Sequence, residues 1–372
     1  MTEILTLAQP PRAPKDSGAD KIAQIRTLGT QLASNPKNPS LHAHLAWAYV
    51  DMNRWDEAIK KFQECYTLNR NLGDTPHAAK AASAMGYCFF KRSRTARNME
   101  SKEAQEWQDW LNGMKWKLQA CKLYRKLRKT NPDDQENIKN YALNAGHIGQ
   151  EYLKASKRLQ EANPEKADEC WLNGMTWKKQ QHKLISTLIN SDPNKKHDLA
   201  MIAGKIGQEY LDASQRLRQA NPEQAEKYWQ ECMVWKEKAY GSYKELSQTD
   251  PSTLENCAKT AGHIGQEYLK ASTRLRGANP EQAKKYWLEG MAWKEKAYGS
   301  YKELSHTDSS KKQDCALTAA QLGKEFANQR MDYYAIEWYK KALEHDPDNE
   351  SIDTACRGLR MKMALEDLER DR

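Results

Sequence analysis

The sequence predicts an all-α fold, an α-solenoid of antiparallel helical hairpins whose central members carry extended arms. Three observations lead there: a polar composition with few breakers, a 58-residue internal repeat, and helix-start chemistry at the middle of each repeat. Of 372 residues, 29% are charged, only 18 are Gly and 13 Pro, and the mean hydropathy is −0.97. That balance suits long solvent-washed helices better than a sheet with many turns. Aromatic usage leans to 12 Trp and 17 Tyr against 4 Phe, rings that can pack on one edge and stay wet at the other.

The repeat organises the chain. Ala145-Gly-His-Ile-Gly-Gln-Glu-Tyr-Leu-Lys-Ala-Ser156 returns almost unchanged from Ala203 to Ser214 and again from Ala261 to Ser272. An Ala-Asn-Pro-Glu turn follows each copy, at Asn163, Asn221 and Asn279, and then an aromatic segment bracketed by Trp171/Trp177, Trp229/Trp235 and Trp287/Trp293. A fourth such segment, Trp110 to Trp116, lies upstream. In the first half of the unit, Ile206, Tyr210, Ala213 and Leu217 fall at i, i+4, i+7, i+11, beside a second stripe of Ala203, Gly207, Leu211 and Ser214. Two stripes mean a helix with two neighbours. Asn-Pro-Glu supplies an N-cap, a proline at the first helical position and an acid in the first turn, so a second helix starts there. Thr249-Asp-Pro251 stops it. The paired glycines Gly146/Gly149, Gly204/Gly207 and Gly262/Gly265 lie mid-helix, at about 0.8–1 kcal/mol each relative to Ala, and close approach of the neighbouring helix is the expected compensation.

At its two ends the chain resembles the tetratricopeptide repeat. Gly323, Phe326, Ala335, Tyr339, Ala342 and Pro347 match that family's positions in spacing and type, and Leu45, Ala46, Tyr49, Ala58, Phe62 and Cys65 fit the same frame with Arg70 in place of the closing proline. In the central units the frame continues with Gly207 and Tyr210 before an insertion, and Ala239, Tyr243, Leu246 and Pro251 after it; Gly86, Ala120, Tyr124, Leu127 and Pro132 show it once more. The insertion of about 20 residues, split over two helices, lengthens each by roughly 15 Å. The resemblance implies a right-handed α-solenoid of antiparallel helical hairpins with extended arms. The expected organisation is a disordered tail (1–18), an N-terminal capping helix (19–37), an ordinary repeat (38–72) and four long-armed repeats (73–134, 135–195, 196–253, 254–311). An ordinary repeat (312–349) and a C-terminal capping helix (350–372) complete it, since solenoid ends must tolerate water.

Composition and motif content narrow the function classes. The net charge of +9, from 59 basic and 50 acidic residues, is below that of a dedicated nucleic-acid binder. Eight cysteines form no C-x-x-C pair and have no His partners at zinc spacing, so they read as buried free thiols in a reducing, cytoplasmic setting. His147 and His263 are equivalent, but Lys205 stands between them, and a position that accepts lysine is not a ligand. No nucleotide loop, metalloprotease motif or nucleophile elbow occurs. No catalytic residue, cofactor, metal or membrane span is expected.

Two readings of the surface follow. In the family the first helices line an inner face that grips a peptide or a partner's helix. Carried onto this frame, the contacts are Trp47, Asp51, Tyr87, Lys91, Gln150, Lys154, Gln208, Asp212, Gln266, Lys270, Lys324 and Asn328. The family's Lys/Asn clamp for chaperone tails is missing, because Ala43 and Trp47 stand there. This reading makes the chain a scaffold or adaptor for a protein partner. The second reading takes two basic ladders, Arg158/Arg216/Arg274 and Lys117/Lys178/Lys236/Lys294, with the repeated Trp residues, as a surface for RNA or single-stranded nucleic acid. Repeated acids at Glu151, Glu209 and Glu267 favour a mutually paired face instead. Near-identical arms also permit a homo-oligomer.

Overall fold

Helix follows wherever the repeat supplies a cap and an apolar stripe. The computed structural model describes residues 18–97, 103–189, 192 and 195–370. The tail expected over 1–18 falls almost wholly outside them. Among the described residues there are α-helices and short 3-10 turns but no strand: α1 (Gly18–Ser34), α2 (Pro39–Asp51), α3 (Trp55–Asn71), α4 (Thr75–Arg97), α5 (Glu103–Thr130), α6 (Gln135–Leu159), α7 (Pro164–Ser186), α8 (Lys195–Leu217), α9 (Pro222–Ser247), α10 (Leu254–Leu275), α11 (Pro280–Thr307), α12 (Lys312–Asn328), α13 (Asp332–His345) and α14 (Glu350–Arg370). None of these helices is long and apolar enough to cross a membrane. The chain divides into two compact units, Met1–Pro193 with α1–α7 and Asn194–Arg372 with α8–α14.

The Asn-Pro-Glu turns start helices by the expected chemistry. Asn163 accepts from the Lys166 amide, Asn221 from that of Gln224 and Asn279 from that of Gln282, each with proline at the first helical position. Asn38 caps α2 in the same way. Arm length varies as the insertions require. The 28 residues of α5 and α11 span about 42 Å, against about 21 Å for the 14 residues of α13.

From α4–α5 to α12–α13, each hairpin closes on a glycine seat. A Cβ at Gly265 would meet the Gly290 carbonyl oxygen at 2.8 Å and Lys294 Cγ at 2.9 Å, and Gly86, Gly149 and Gly207 face Lys117, Lys178 and Lys236 in the same manner. In the short hairpin α12–α13 the seat of Gly323 is filled by the Tyr339 ring at 2.9 Å. Two departures from the sequence reading stand out. Aligning residue types pairs Gly207 with Ala239 and Tyr243, yet in space Gly207 faces Cys232 and Lys236, while Ala239 lies against Gly204 at 3.9 Å. The extra residues thus shift the register of the whole hairpin rather than only lengthening its tip. In two of the three pairs the first glycine is also roomier than expected: a Cβ at Gly204 or Gly262 would meet only an alanine methyl, at 3.9 and 3.8 Å, so close approach does not account for these two.

The cores are built from the repeated aromatics and methionines. Trp171 and Met175 are buried in the first unit; Trp229, Met233, Trp287, Met291 and Trp293 are buried in the second. All eight cysteines are free, and seven are buried. Cys170 is the exception, being half-exposed.

Candidate functional site

The inner-face positions predicted from the repeat frame lie on the first helix of each hairpin. In the first unit, Trp47 and Asp51 belong to α2, Tyr87 and Lys91 to α4, and Gln150 and Lys154 to α6. Trp47 is half-buried, its ring 5.2 Å from Phe62 and 6.4 Å from Tyr87, and the Lys91 ammonium sits 5.5 Å from the Tyr87 ring centre. Gln150 is exposed, while Lys154 donates to Glu151 at 2.9 Å. In the second unit, Gln208 donates to Asp212 at 2.8 Å on α8, Lys270 to Glu267 at 2.7 Å on α10, and Gln266, Lys324 and Asn328 are exposed. These side chains offer hydrogen bonds in a common register but form no enclosed site.

The basic ladders are built otherwise than a polyanion surface requires. Lys117, Lys236 and Lys294 are buried and Lys178 is half-buried. Their stems lie across the glycine seats, so glycine and lysine recur together because the helix-facing aliphatic chain needs a position without a side chain beneath it. The Lys117 ammonium donates to Ser83 Oγ at 3.0 Å and lies 3.5 Å from His147 Nδ1. Burial holds it down to about 8, and burial with the nearby Lys117 and Lys178 pushes His147 down to about 3. Lys294 donates to Gln321 at 2.9 Å. The arginine ladder is likewise engaged within the fold in the first unit. Arg158 reaches the buried Glu106 at 2.7 Å and stacks over Trp107 at 4.5 Å. Arg97 joins the same carboxylate at 2.6 Å, Arg94 pairs with Glu151, and Arg92 bridges Asp109 and Asp56. In the second unit Arg216 is half-buried, and Arg274 is lowered by burial and by Arg218.

The first unit holds a concavity that the repeat pattern did not reveal. A groove of about 1060 Å³ opens between α5 and α7 in the first unit, lined by Trp107, Trp110, Leu111 and Met114 of α5, Tyr66 of α3, Tyr152 of α6 and Cys170 of α7. Leu111 is 53% exposed within it, and Trp110 meets Tyr152 edge to face at 5.8 Å. The rim carries Lys115, Lys122 and Lys166 against Glu169. Such a size and an apolar lining with few polar groups are those of binding clefts.

One side chain in its lining departs from the repeat. Cys170 occupies the position held by Tyr228 in α9 and Tyr286 in α11, each one residue before the repeated Trp. In the second unit Tyr286 fills the gap between adjacent second helices. Its ring lies 5.0 Å from Trp229 of α9 and 5.7 Å from Tyr268 of α10, and its hydroxyl donates to Glu226 at 3.3 Å. In the first unit the matching surfaces, Trp110 and Tyr152, are present but the plug is a thiol. Burial and the adjacent Glu169 raise that thiol above its ordinary range. The Tyr/Tyr/Cys series at one repeat position is the sequence signal that could have located the groove. Among the described residues no cluster of His, Cys, Asp or Glu could hold a metal ion.

A sequence profile described as tetratricopeptide repeat matches residues 41–76, the segment holding α2 and α3. Comparison with curated proteins yields no match. Among solved structures, the C-terminal part of a tetratricopeptide repeat-containing protein from Cytophaga hutchinsonii is 11% identical, with 90% of this chain and 94% of that chain covered and a TM-score of 0.41. A circular tandem repeat protein with novel repeat topology is 12% identical over 94% of this chain and 86% of its own, with a TM-score of 0.45. Yeast Tom70 is 12% identical over 94% and 93%, with a TM-score of 0.16.

Proposed function

We propose that this chain, a divergent tetratricopeptide-repeat protein, is a non-enzymatic adaptor that holds a protein partner, and that its first unit takes an apolar peptide segment with acidic flanks in the groove between α5 and α7. The groove carries this reading. It exposes Leu111 beside the Trp110–Tyr152 pair, whose α9–α10 counterpart, Trp229 and Tyr268, is packed by the Tyr286 ring, and its lining has three lysines to one glutamate. Aromatic anchors in a cleft with a polar rim are where binding energy concentrates in protein interfaces. The exposed amides Gln150, Gln208 and Gln266 and the ends Lys324 and Asn328 supply secondary contacts on the first-helix faces. A reducing, cytoplasmic setting would suit its eight free thiols.

The test is selection from a phage-displayed peptide library on the full chain and on Cys170→Tyr. The expected result is enrichment of apolar or aromatic peptides with flanking Asp and Glu on the native chain, lost on the variant. Enrichment of the same peptides on both proteins overturns the groove. Binding of labelled single-stranded RNA that weakens steeply with salt overturns the protein-partner reading in favour of nucleic acid.

A further inference from the structure

The end of α5 carries charge that its repeat counterparts do not. Arg125-Lys-Leu-Arg-Lys129 holds four cations and no acid, whereas the matching stretches of α9 and α11, Lys244-Glu-Leu-Ser-Gln248 and Lys302-Glu-Leu-Ser-His306, each set one lysine against one glutamate. Opposite this end, α6 presents Tyr141, where α10 and α12 have Cys257 and Cys315. The two departures meet in space. Arg125, Arg128 and Lys129, with Tyr141 and Gln180 of α7, line a cavity of about 360 Å³ in the first unit, at the small end of ligand clefts.

The lining is rich in donors and holds no carboxylate. Tyr141 is 2% exposed, and its hydroxyl accepts from Arg125 Nε at 3.3 Å and from Arg125 Nη2 at 3.2 Å. Both of those partners donate, so the phenol proton is left to serve a further acceptor. Among the described residues none of the three lining cations is paired with a carboxylate. Like charges held this close repel one another, and an anion between them converts the repulsion into attraction.

We infer that this cavity is an anion site for one phosphate dianion, either free or carried as a monoester. The guanidinium forks of Arg125 and Arg128 match phosphate oxygens two at a time, and Lys129 adds a point charge. The Tyr141 hydroxyl and the Gln180 amide supply neutral donors. A carboxylate brings one charge and two oxygens to three cations; a phosphate monoester brings nearly two charges and three acceptor oxygens, which fits the lining better. A nucleic-acid strand needs cations continued along successive helices, and most of the lysine ladder is buried instead. The cavity shares no lining residue with the groove between α5 and α7, so the site does not depend on what that groove binds.

Isothermal titration calorimetry of the full chain tests it, with inorganic phosphate and the peptide acetyl-Ala-Ala-phosphoserine-Ala-Ala-amide as probes and circular dichroism to establish that each variant is folded. The native chain is expected to bind at one site. Arg128→Gln should weaken binding about tenfold or more, and Tyr141→Phe, which keeps the ring and removes the hydroxyl, about fivefold. Lys126→Gln removes the same charge from an exposed position of α5 outside the cavity, and should change affinity less than about twofold. Tighter binding of the peptide assigns the phosphoryl group to a partner's side chain; free phosphate binding as tightly or more so assigns it to a small molecule. Absence of binding by both probes, affinity indifferent to Arg128→Gln and Tyr141→Phe, or a loss in Lys126→Gln equal to that in Arg128→Gln overturns the inference. So does single-stranded RNA that binds where neither probe does.

Discussion

The α5–α7 pair of the first unit and the α9–α11 pair of the second are built on the same repeat, yet one leaves a groove and the other sets a tyrosine ring between its helices. In α11 the Tyr286 ring packs on both Trp229 and Tyr268; in α7 the same position is Cys170, and the Trp110–Tyr152 pair lines the groove without such a ring. A solenoid repeat can therefore acquire a binding cleft by subtraction, because the neighbours that would have packed on the missing ring are held in place by the rest of their helices. The largest way to break the contrast is Tyr286→Cys, which should open a second groove and cost about 2–3 kcal/mol, the range for removing a packed aromatic ring. Chemical denaturation measures the loss, and thiol labelling at the new cysteine measures the opening.

The two regions also differ in how they house the lysine that crosses each glycine seat. Lys117 ends on Ser83 beside His147, whereas Lys294 ends on Gln321, an exposed side chain. Burial lowers Lys117 from 10.5 to about 8, so between those values the unfolded chain binds more protons and native stability rises with pH. Lys117→Met keeps the stem and removes the buried charge, and should stabilise the first unit by about 1–2 kcal/mol at neutral pH. That advantage should shrink toward pH 10, where the native amine has already shed its proton. Lys294→Met should gain less. Denaturation midpoints at the two pH values check both statements.

Filling the groove is a smaller perturbation. Cys170→Tyr supplies the ring that α11 already carries, and should add about 1 kcal/mol of stability while abolishing binding of a hydrophobic dye such as ANS. If the dye still binds, the groove is not the apolar site of the first unit.

Much of the fold was legible because its cause was local. The Asn163, Asn221 and Asn279 caps and the double stripes around Ile206 are chemistry between residues a few positions apart, and they set helix ends and faces in the structure as the sequence implies. The burial of the lysine ladder was not legible for the opposite reason. Lys117 and Lys236 are charged in sequence, but whether a lysine is a surface cation or a core stem depends on Gly86 and Gly207 across the hairpin. The groove was masked by the regular Trp110, Trp171, Trp229 and Trp287, because the variation lies one residue earlier, at Asp109, Cys170, Tyr228 and Tyr286.

The smallest contrast lies in the first glycine of each pair. A Cβ at Gly146 would fall 2.5 Å from Gln181 of α7, whereas at Gly262 it would touch only the Ala297 methyl, at 3.8 Å. Gly262→Ala therefore gains helix propensity and loses nothing to packing, a stabilisation of about 0.5–1 kcal/mol. Gly146→Ala gains the same propensity but must displace a glutamine whose end is the flexible part of the side chain, so its net effect should fall near zero. The pair compares the two residues that face this glycine position, Gln181 and Ala297. A loss of stability in Gly262→Ala on thermal melting would mean that α10 and α11 approach more closely than an alanine allows, and that this glycine too is a packing seat.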